Sequence, residues 1–176
     1  MQERKLNRLS GYDYSTAGYY FITSCVKNRE CLLGEIFNSK MDLNEFGKIV
    51  NTCWLDLPNH YKNIQLDEFV IMPNHFHGII YIMGNGDVID VGNGFKPFPT
   101  LAMKPFPTGK NQGLPEIVRG FKTFSSRRIN ETNPNQKFQW QKSYHDRIIR
   151  NERELFLIRR YIRNNPMNWM KDKHYI

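Results

Sequence analysis

His75 and His77 stand two apart in the run Met72-Pro73-Asn74-His75-Phe76-His77, at the head of an apolar stretch that reaches Met83. If that stretch is a strand, side chains two apart share a face. The two imidazoles then project side by side and Phe76 points into the opposite layer. Two imidazoles on one face of a rigid strand make half of a metal site, although plain surface histidines have the same spacing. Tyr161 and Asn165 are four apart in a predicted helix, so they lie one above the other. They border the apolar stripe of Leu155, Ile158 and Ile162, while Arg159, Arg160 and Arg163 fall on the side away from it. A hard divalent cation accepts imidazole nitrogen plus an amide oxygen and keeps positions open for phosphate oxygens and water. A tyrosine one turn before the amide would sit beside such a phosphate. A phenol is weakly nucleophilic while neutral, with a pKa of about 10. A nearby cation stabilises the phenolate and draws charge off the phosphate. The plainer reading makes Tyr161 an aromatic at the rim of the core and Asn165 a helix-end residue before Pro166.

These groups need elements to hold them. Residues 18–26 are aromatic and β-branched, which predicts a buried strand. Within 41–57, Phe46, Ile49, Val50, Cys53 and Trp54 recur at three- and four-residue steps, which predicts a helix stopped near Pro58. Two strand-like runs, 65–72 and 75–83, are separated only by Pro73-Asn74 and read as a tight antiparallel pair. Residues 84–113 hold six of the twelve glycines and four of the nine prolines, with Lys96-Pro97-Phe98-Pro99-Thr100 repeated at 104–108. They read as a loop insertion of extended character, with room for a small hairpin around Val88 to Val91. A helix is predicted over 114–129, with Pro115 and Glu116 in its first turn, then a short strand over 138–141. The last helix starts at Asn151, with Glu154 completing a capping box, and Pro166 ends it. The order predicts an α+β fold: one domain built on a small antiparallel sheet with packed helices.

At 176 residues, 40% hydrophobic and 24% charged, the chain has a globular composition. No apolar run approaches the ~18 residues of a membrane helix, and the charged start is not followed by a signal-peptide core, so a cytoplasmic protein is expected. Cys25, Cys31 and Cys53 have no metal-binding spacing and read as reduced thiols. Between Arg119 and Arg163 stand twelve basic and four acidic residues, so the net charge of +8 resides in that quarter of the chain. Such a tract suits a polyanion, usually nucleic acid, or else a solvated helix surface.

The phrase Met72 to His77 resembles the histidine–hydrophobic–histidine (HUH) motif of single-tyrosine transposases. The run Trp140 to Arg150 and the run Tyr161-Ile162-Arg163-Asn164-Asn165-Pro166 are similar to the REP-associated branch of that family, as are Tyr20-Phe21-Ile22-Thr23 and Asn28-Arg29. The resemblance spans roughly residues 10 to 170 apart from the 84–113 insertion. It implies a ferredoxin-like antiparallel β-sheet with packed α-helices, which agrees with the predicted order. It implies that His75, His77 and Asn165 bind Mg²⁺ or Mn²⁺, with asparagine standing where glutamine is common in the wider family. It makes Tyr161 the nucleophile that cleaves single-stranded DNA at the foot of a hairpin through a 5′-phosphotyrosine link, later reversed by another 3′-hydroxyl. Relatives act as homodimers or as monomers.

Tyr144, beside His145 and Asp146, is the rival nucleophile, but strand neighbours point opposite ways, so it is read as facing DNA or supporting the site. His60 and His174 have no partner by spacing and read as surface residues. Arg119, Lys122, Arg127 and Arg128 on the 114–129 helix, with Arg147 and Arg150, are candidate DNA contacts. Tyr19, Tyr20 and Trp140 either stack on bases or pack in the core. Two other functions fit the same residues: a non-catalytic hairpin-binding protein, and a metal hydrolase that does not use Tyr161.

Overall fold

The computed structural model describes Leu9 and residues 11–84 and 113–175. The strands β1 (Gly18–Cys25), β4 (Ile64–Met72), β5 (His75–Ile82) and β6 (His145–Ile149) form one antiparallel sheet in the order β4-β5-β1-β6. A separate hairpin, β2 (Gly34–Phe37) with β3 (Lys40–Leu43), follows β1. The helices are α1 (Glu45–Leu55), the short α2 (Leu57–His60), α3 (Leu114–Thr132) and α4 (Glu152–Asn164). Without the hairpin and α2, the order is βαββαβ followed by α4, which is the ferredoxin-like plan that was expected. Among the described residues, no helix is long and apolar enough to cross a membrane.

Strand alternation divides the core in two. Tyr20, Ile22, Phe76, Ile80 and Ile82 face one layer, where Val50 and Trp54 of α1 and Ile117, Val118 and Phe121 of α3 cover them. Ile79 and Ile149 face the other layer and pack on Leu155, Ile158 and Ile162 of α4, with Tyr19, Phe21 and Val70 around them. His75, His77 and Ile79 belong to this α4 face, because Cys25, Thr23 and Phe21 stand directly opposite them in β1.

Gly78 lies between His77 and Ile79 but points to the opposite layer. A Cβ there would lie 2.7 Å from Trp54 Cζ2 and 2.8 Å from the Phe76 ring. Trp54 and Phe76 are fully buried and cannot give way. Gly78→Ala is therefore expected to destabilise the fold by about 1–3 kcal/mol, read from the shift of the urea unfolding midpoint at unchanged slope.

Several expected elements differ. The helix of 41–57 starts at Glu45, because Asn44 caps it by accepting from Gly47 N (3.0 Å) and because 40–43 is used as β3. The strand predicted over 138–141 is a single bridge between Trp140 and Val26; the fourth sheet strand is β6, five residues later. Asn151 caps α4 as expected, accepting from Glu154 N (2.9 Å). The Glu154 carboxylate reaches back to Arg150 N (2.9 Å), not to Asn151, while its other oxygen pairs with Arg147 (2.5 Å). After Pro166 the chain continues as a 3₁₀ turn to Lys171. The insertion assigned to 84–113, its repeat and the hairpin around Val88 to Val91 lie almost wholly outside the described residues.

Candidate active site

β4 and β5 are joined by Pro73-Asn74 alone, with Met72 opposite His75. That tight connection leaves His75 and His77 at the beginning of a central strand, both buried. Asn74 donates both amide hydrogens to carbonyl oxygens, of Arg29 (3.0 Å) and of His174 (2.8 Å). Its Oδ1 therefore faces His75 Nδ1 (2.9 Å), which must carry the proton. The lone pair of His75 is thus on Nε2, a buried atom with no hydrogen-bond partner among the described residues. His77 Nδ1 lies 2.8 Å from Thr23 Oγ1, and His77 Nε2 lies 3.2 Å from the Tyr161 hydroxyl.

α4 brings Tyr161 to this point. Its hydrophobic stripe seats the helix on the sheet, and Tyr161, on the flank of that stripe, packs edge-on against Phe21 and His77. The ring remains 41% exposed, so the phenol is open to a ligand. It borders a cleft of about 300 Å³ that also has Arg160, Asn165, Lys171 and Asp172 in its wall.

The tail beyond Pro166 folds back into the site. Asp172 Oδ2 accepts from the Tyr161 hydroxyl (3.4 Å) and from Asn165 Nδ2 (3.3 Å), and Oδ1 accepts from His174 N (2.7 Å). Ligand atoms of His75, His77 and Asp172 all lie within 4.8 Å of one another. Asn165 is buried, and among the described residues its Oδ1 has no hydrogen-bond partner, nor has His174 Nε2. Unpaired lone pairs on buried imidazoles and a buried amide beside a carboxylate are what a cation site requires, and the group fits a divalent metal.

Asp172 and the buried His174 are the residues that sequence reasoning missed. His174 is no surface residue: its ring centroid lies 4.6 Å from that of His75, and its Nδ1 is 3.6 Å from Cys25 Sγ. His60 is also placed differently from expectation, paired with Asp56 (2.9 Å) at the foot of α2. Tyr144 is buried in the α1/α3 core and faces neither the imidazoles nor solvent. Tyr20 and Trp140 are core residues, and Tyr19 stacks on Tyr81.

The basic residues do not form one patch. α3 packs on the sheet face opposite α4, so Arg119, Lys122, Arg127 and Arg128 stand apart from the histidines. Arg119 pairs with Glu116, Arg127 lies over Phe124, and Arg128 reaches Cys53 Sγ (3.9 Å). Lys122 is committed to the backbone: its ammonium donates to the carbonyls of Gln141 (2.6 Å), Lys142 (3.1 Å) and Ser143 (3.4 Å), and burial lowers its pKa to about 8. Arg147, opposite Phe21 in the β1–β6 register, is on the α4 face, and Arg150 is exposed at the end of β6.

Burial sets the protonation of the cluster. It pushes His75 down to about 3, helped by charge on His174, and holds His77 well below its ordinary value, with His75 adding to the effect. Both imidazoles are neutral at pH 7, the state that ligates metals. Burial, then the Asp172 carboxylate, raises Tyr161 to about 12, so the phenol keeps its proton until something takes it. The histidine shifts carry a sign for stability. The folded values lie below the unfolded value of about 6.5, so the unfolded chain takes up protons first. Their contribution is complete above pH ~6.5 and is lost as pH falls toward ~3. The metal-free protein is expected to lose on the order of a few kcal/mol across that window. Urea unfolding at several pH values checks this: His75→Gln should give a shallower decline.

A family model described as "Transposase IS200 like" matches residues 106–165, a span that runs through α3 and β6 to Tyr161 and Asn165. That span, about a third of the chain, is similar to the IS200-like transposase family. An uncharacterised protein of Haemophilus influenzae is 39% identical over 180 residues, covering 100% of this chain and 95% of that one. The solved structure of a REP-associated tyrosine transposase bound to a REP hairpin shares the fold, with a TM-score of 0.59 at 17% identity over 98% of this chain and 77% of that one.

Proposed function

We propose that this chain is a transposase that cuts and rejoins single-stranded DNA beside a hairpin, using Tyr161 as nucleophile and His75, His77 and Asn165 to hold Mg²⁺ or Mn²⁺. The observation that carries this reading is the 3.2 Å approach of an exposed phenol to a buried imidazole of the histidine pair. The hairpin substrate is supported by the REP hairpin bound to the structural neighbour and by the REP-associated motifs of this chain.

The metal, when bound, orients the scissile phosphate and withdraws charge from it. The chain's own groups do the rest. Asn74 and Thr23 hold the imidazole rings so that His77 Nε2 faces the phenol and His75 Nε2 keeps a free lone pair. Asp172 Oδ2 is placed to receive the phenolic proton, which must leave because the hydroxyl is held un-ionised. Tyr161 Oη forms a bond to phosphorus, the bond to the 3′-oxygen breaks, and that oxygen takes a proton from solvent and leaves as a 3′-hydroxyl. Arg160 and Lys171 in the cleft wall supply positive charge for the DNA strand, Arg147 adds to it on the α4 face, and Arg150 lies exposed at the end of β6. The phosphotyrosine ester retains the bond energy, so a second 3′-hydroxyl can reverse the step without a nucleotide cofactor.

The test is incubation of the protein and Mn²⁺ with a 3′-end-labelled single-stranded library carrying a hairpin stem and randomised flanks. Label should become attached to protein and resist denaturation, and 5′-labelled DNA should be released with a free 3′-hydroxyl. Hairpin binding with no metal-dependent cleavage would leave a binding protein on the same fold.

A further inference from the structure

We propose that Asp67 and Glu68, on a β-bulge in β4, are positioning residues that lock the rotation of α4 and so hold the Tyr161 phenol over the imidazoles of its own chain. This rests on the proposed role of Tyr161. The β4–β5 register runs Leu66 opposite Ile80 and then Phe69 opposite Gly78, so Asp67 and Glu68 together oppose Ile79. Leu66 and Phe69 both pack into the α1/α3 core, and the extra residue between them puts two carboxylates within reach of α4.

Arg159 and Arg163 take them. Arg159 grips Asp67 with both arms of its guanidinium, Nε to Oδ1 at 2.8 Å and the second arm to Oδ2. Arg163 donates to Glu68 Oε1 through Nε (3.0 Å) and a terminal nitrogen (2.5 Å). Asp67 Oδ1 is held further by Glu68 N (2.7 Å). Burial alone would raise the Asp67 carboxyl, but the Arg159 guanidinium, the Glu68 N–H and the charge of Arg163 together outweigh it and keep the group below the usual range. The two arginines are one helical turn apart and Tyr161 lies midway between them in sequence.

The buried apolar residues of α4 are Leu155, Ile158 and Ile162. A narrow stripe of that kind fixes which side of the helix faces the sheet but resists rolling weakly, and rolling moves the phenol most. The fork on Asp67, whose side chain is 14% exposed, supplies direction that a stripe lacks. The Glu68 pair is more open to solvent and contributes less. An error of about 1 Å in the attacking atom costs about 10²-fold in rate.

Asp67→Asn is therefore expected to slow single-turnover adduct formation about 10²-fold, with hairpin affinity and Mn²⁺ affinity within twofold of wild type. Reversal of the pair, Asp67→Arg with Arg159→Asp, should recover at least tenfold of that loss. Hydrogen exchange is the readout independent of chemistry: α4 amides should lose protection in Asp67→Asn while β5 amides keep theirs. Wild-type rates and unchanged α4 exchange in Asp67→Asn would overturn the proposal, as would a reversed pair no faster than the single variants. If wild-type protein forms no adduct but Asp67→Asn loosens α4, the positioning role stands and the nucleophile assignment fails.

Discussion

Tyr161→Phe is expected to abolish covalent capture of DNA, a fall of roughly 10³-fold or more, with little change in stability or in hairpin binding. The substitution removes one oxygen. The ring contacts with Phe21 and His77 remain, and the apolar stripe of α4 is untouched. The lost hydroxyl lies at hydrogen-bond distance from His77 Nε2 and Asp172 Oδ2, and water can replace it at an exposed position. Tyr144→Phe is the matching control. Tyr144 lies in the core between the sheet and α1/α3, so its loss should register in the unfolding midpoint and leave adduct formation within a few-fold of wild type. Denaturing gels with labelled DNA, run beside thermal melts of the three proteins, separate the two effects.

The second large effect concerns the metal. His77→Ala is expected to weaken Mn²⁺ binding by 10²-fold or more, because it removes a ligand from the centre of the group formed with His75 and Asp172. Thr23→Val should cost 10–100-fold, since it leaves the imidazole but frees its orientation. Asp172→Asn separates two roles of that carboxylate. It should weaken the metal, and it should lower the Tyr161 pKa in metal-free protein, because the Asp172 charge is second only to burial in raising it. Calorimetric titration with Mn²⁺ and ultraviolet titration of the phenol measure the two separately. Equal Mn²⁺ affinity in wild type and His77→Ala would place the cation elsewhere.

The pieces that sequence disclosed are those with short-range grammar. Two apolar runs around Pro73-Asn74 read most simply as a tight strand pair, and either a pair or one bent strand puts both imidazoles on one face. Three- and four-residue steps in α4 placed Tyr161 and Asn165 at the edge of the core. The rest was hidden for identifiable reasons. Asp172 and His174 reach the site because the tail doubles back after Pro166 and is held by Asn74, a contact across 100 residues that no local spacing signals. The hairpin of β2 and β3 turns on Asn38 (φ 48°) and Ser39 (φ 60°), in a segment too polar to announce a strand. Arg159 and Arg163 do lie off the apolar stripe, yet their long side chains reach back to the sheet. Their partners sit on a bulge, which breaks the alternation that a reader of sequence relies on. The twelve basic residues looked like one tract because they are close in the chain; the sheet divides them between its two faces.

The most direct test of the central claim is to locate the protein–DNA bond. Adducts formed with Mn²⁺ are trimmed with nuclease, digested with trypsin and sequenced by mass spectrometry. Cleavage after Arg160 and Arg163 isolates Tyr161-Ile162-Arg163, and this peptide should carry a nucleotide joined through its 5′-phosphate. A nucleotide on a peptide containing Tyr144 or any other residue, or a 3′-linkage, would contradict the account.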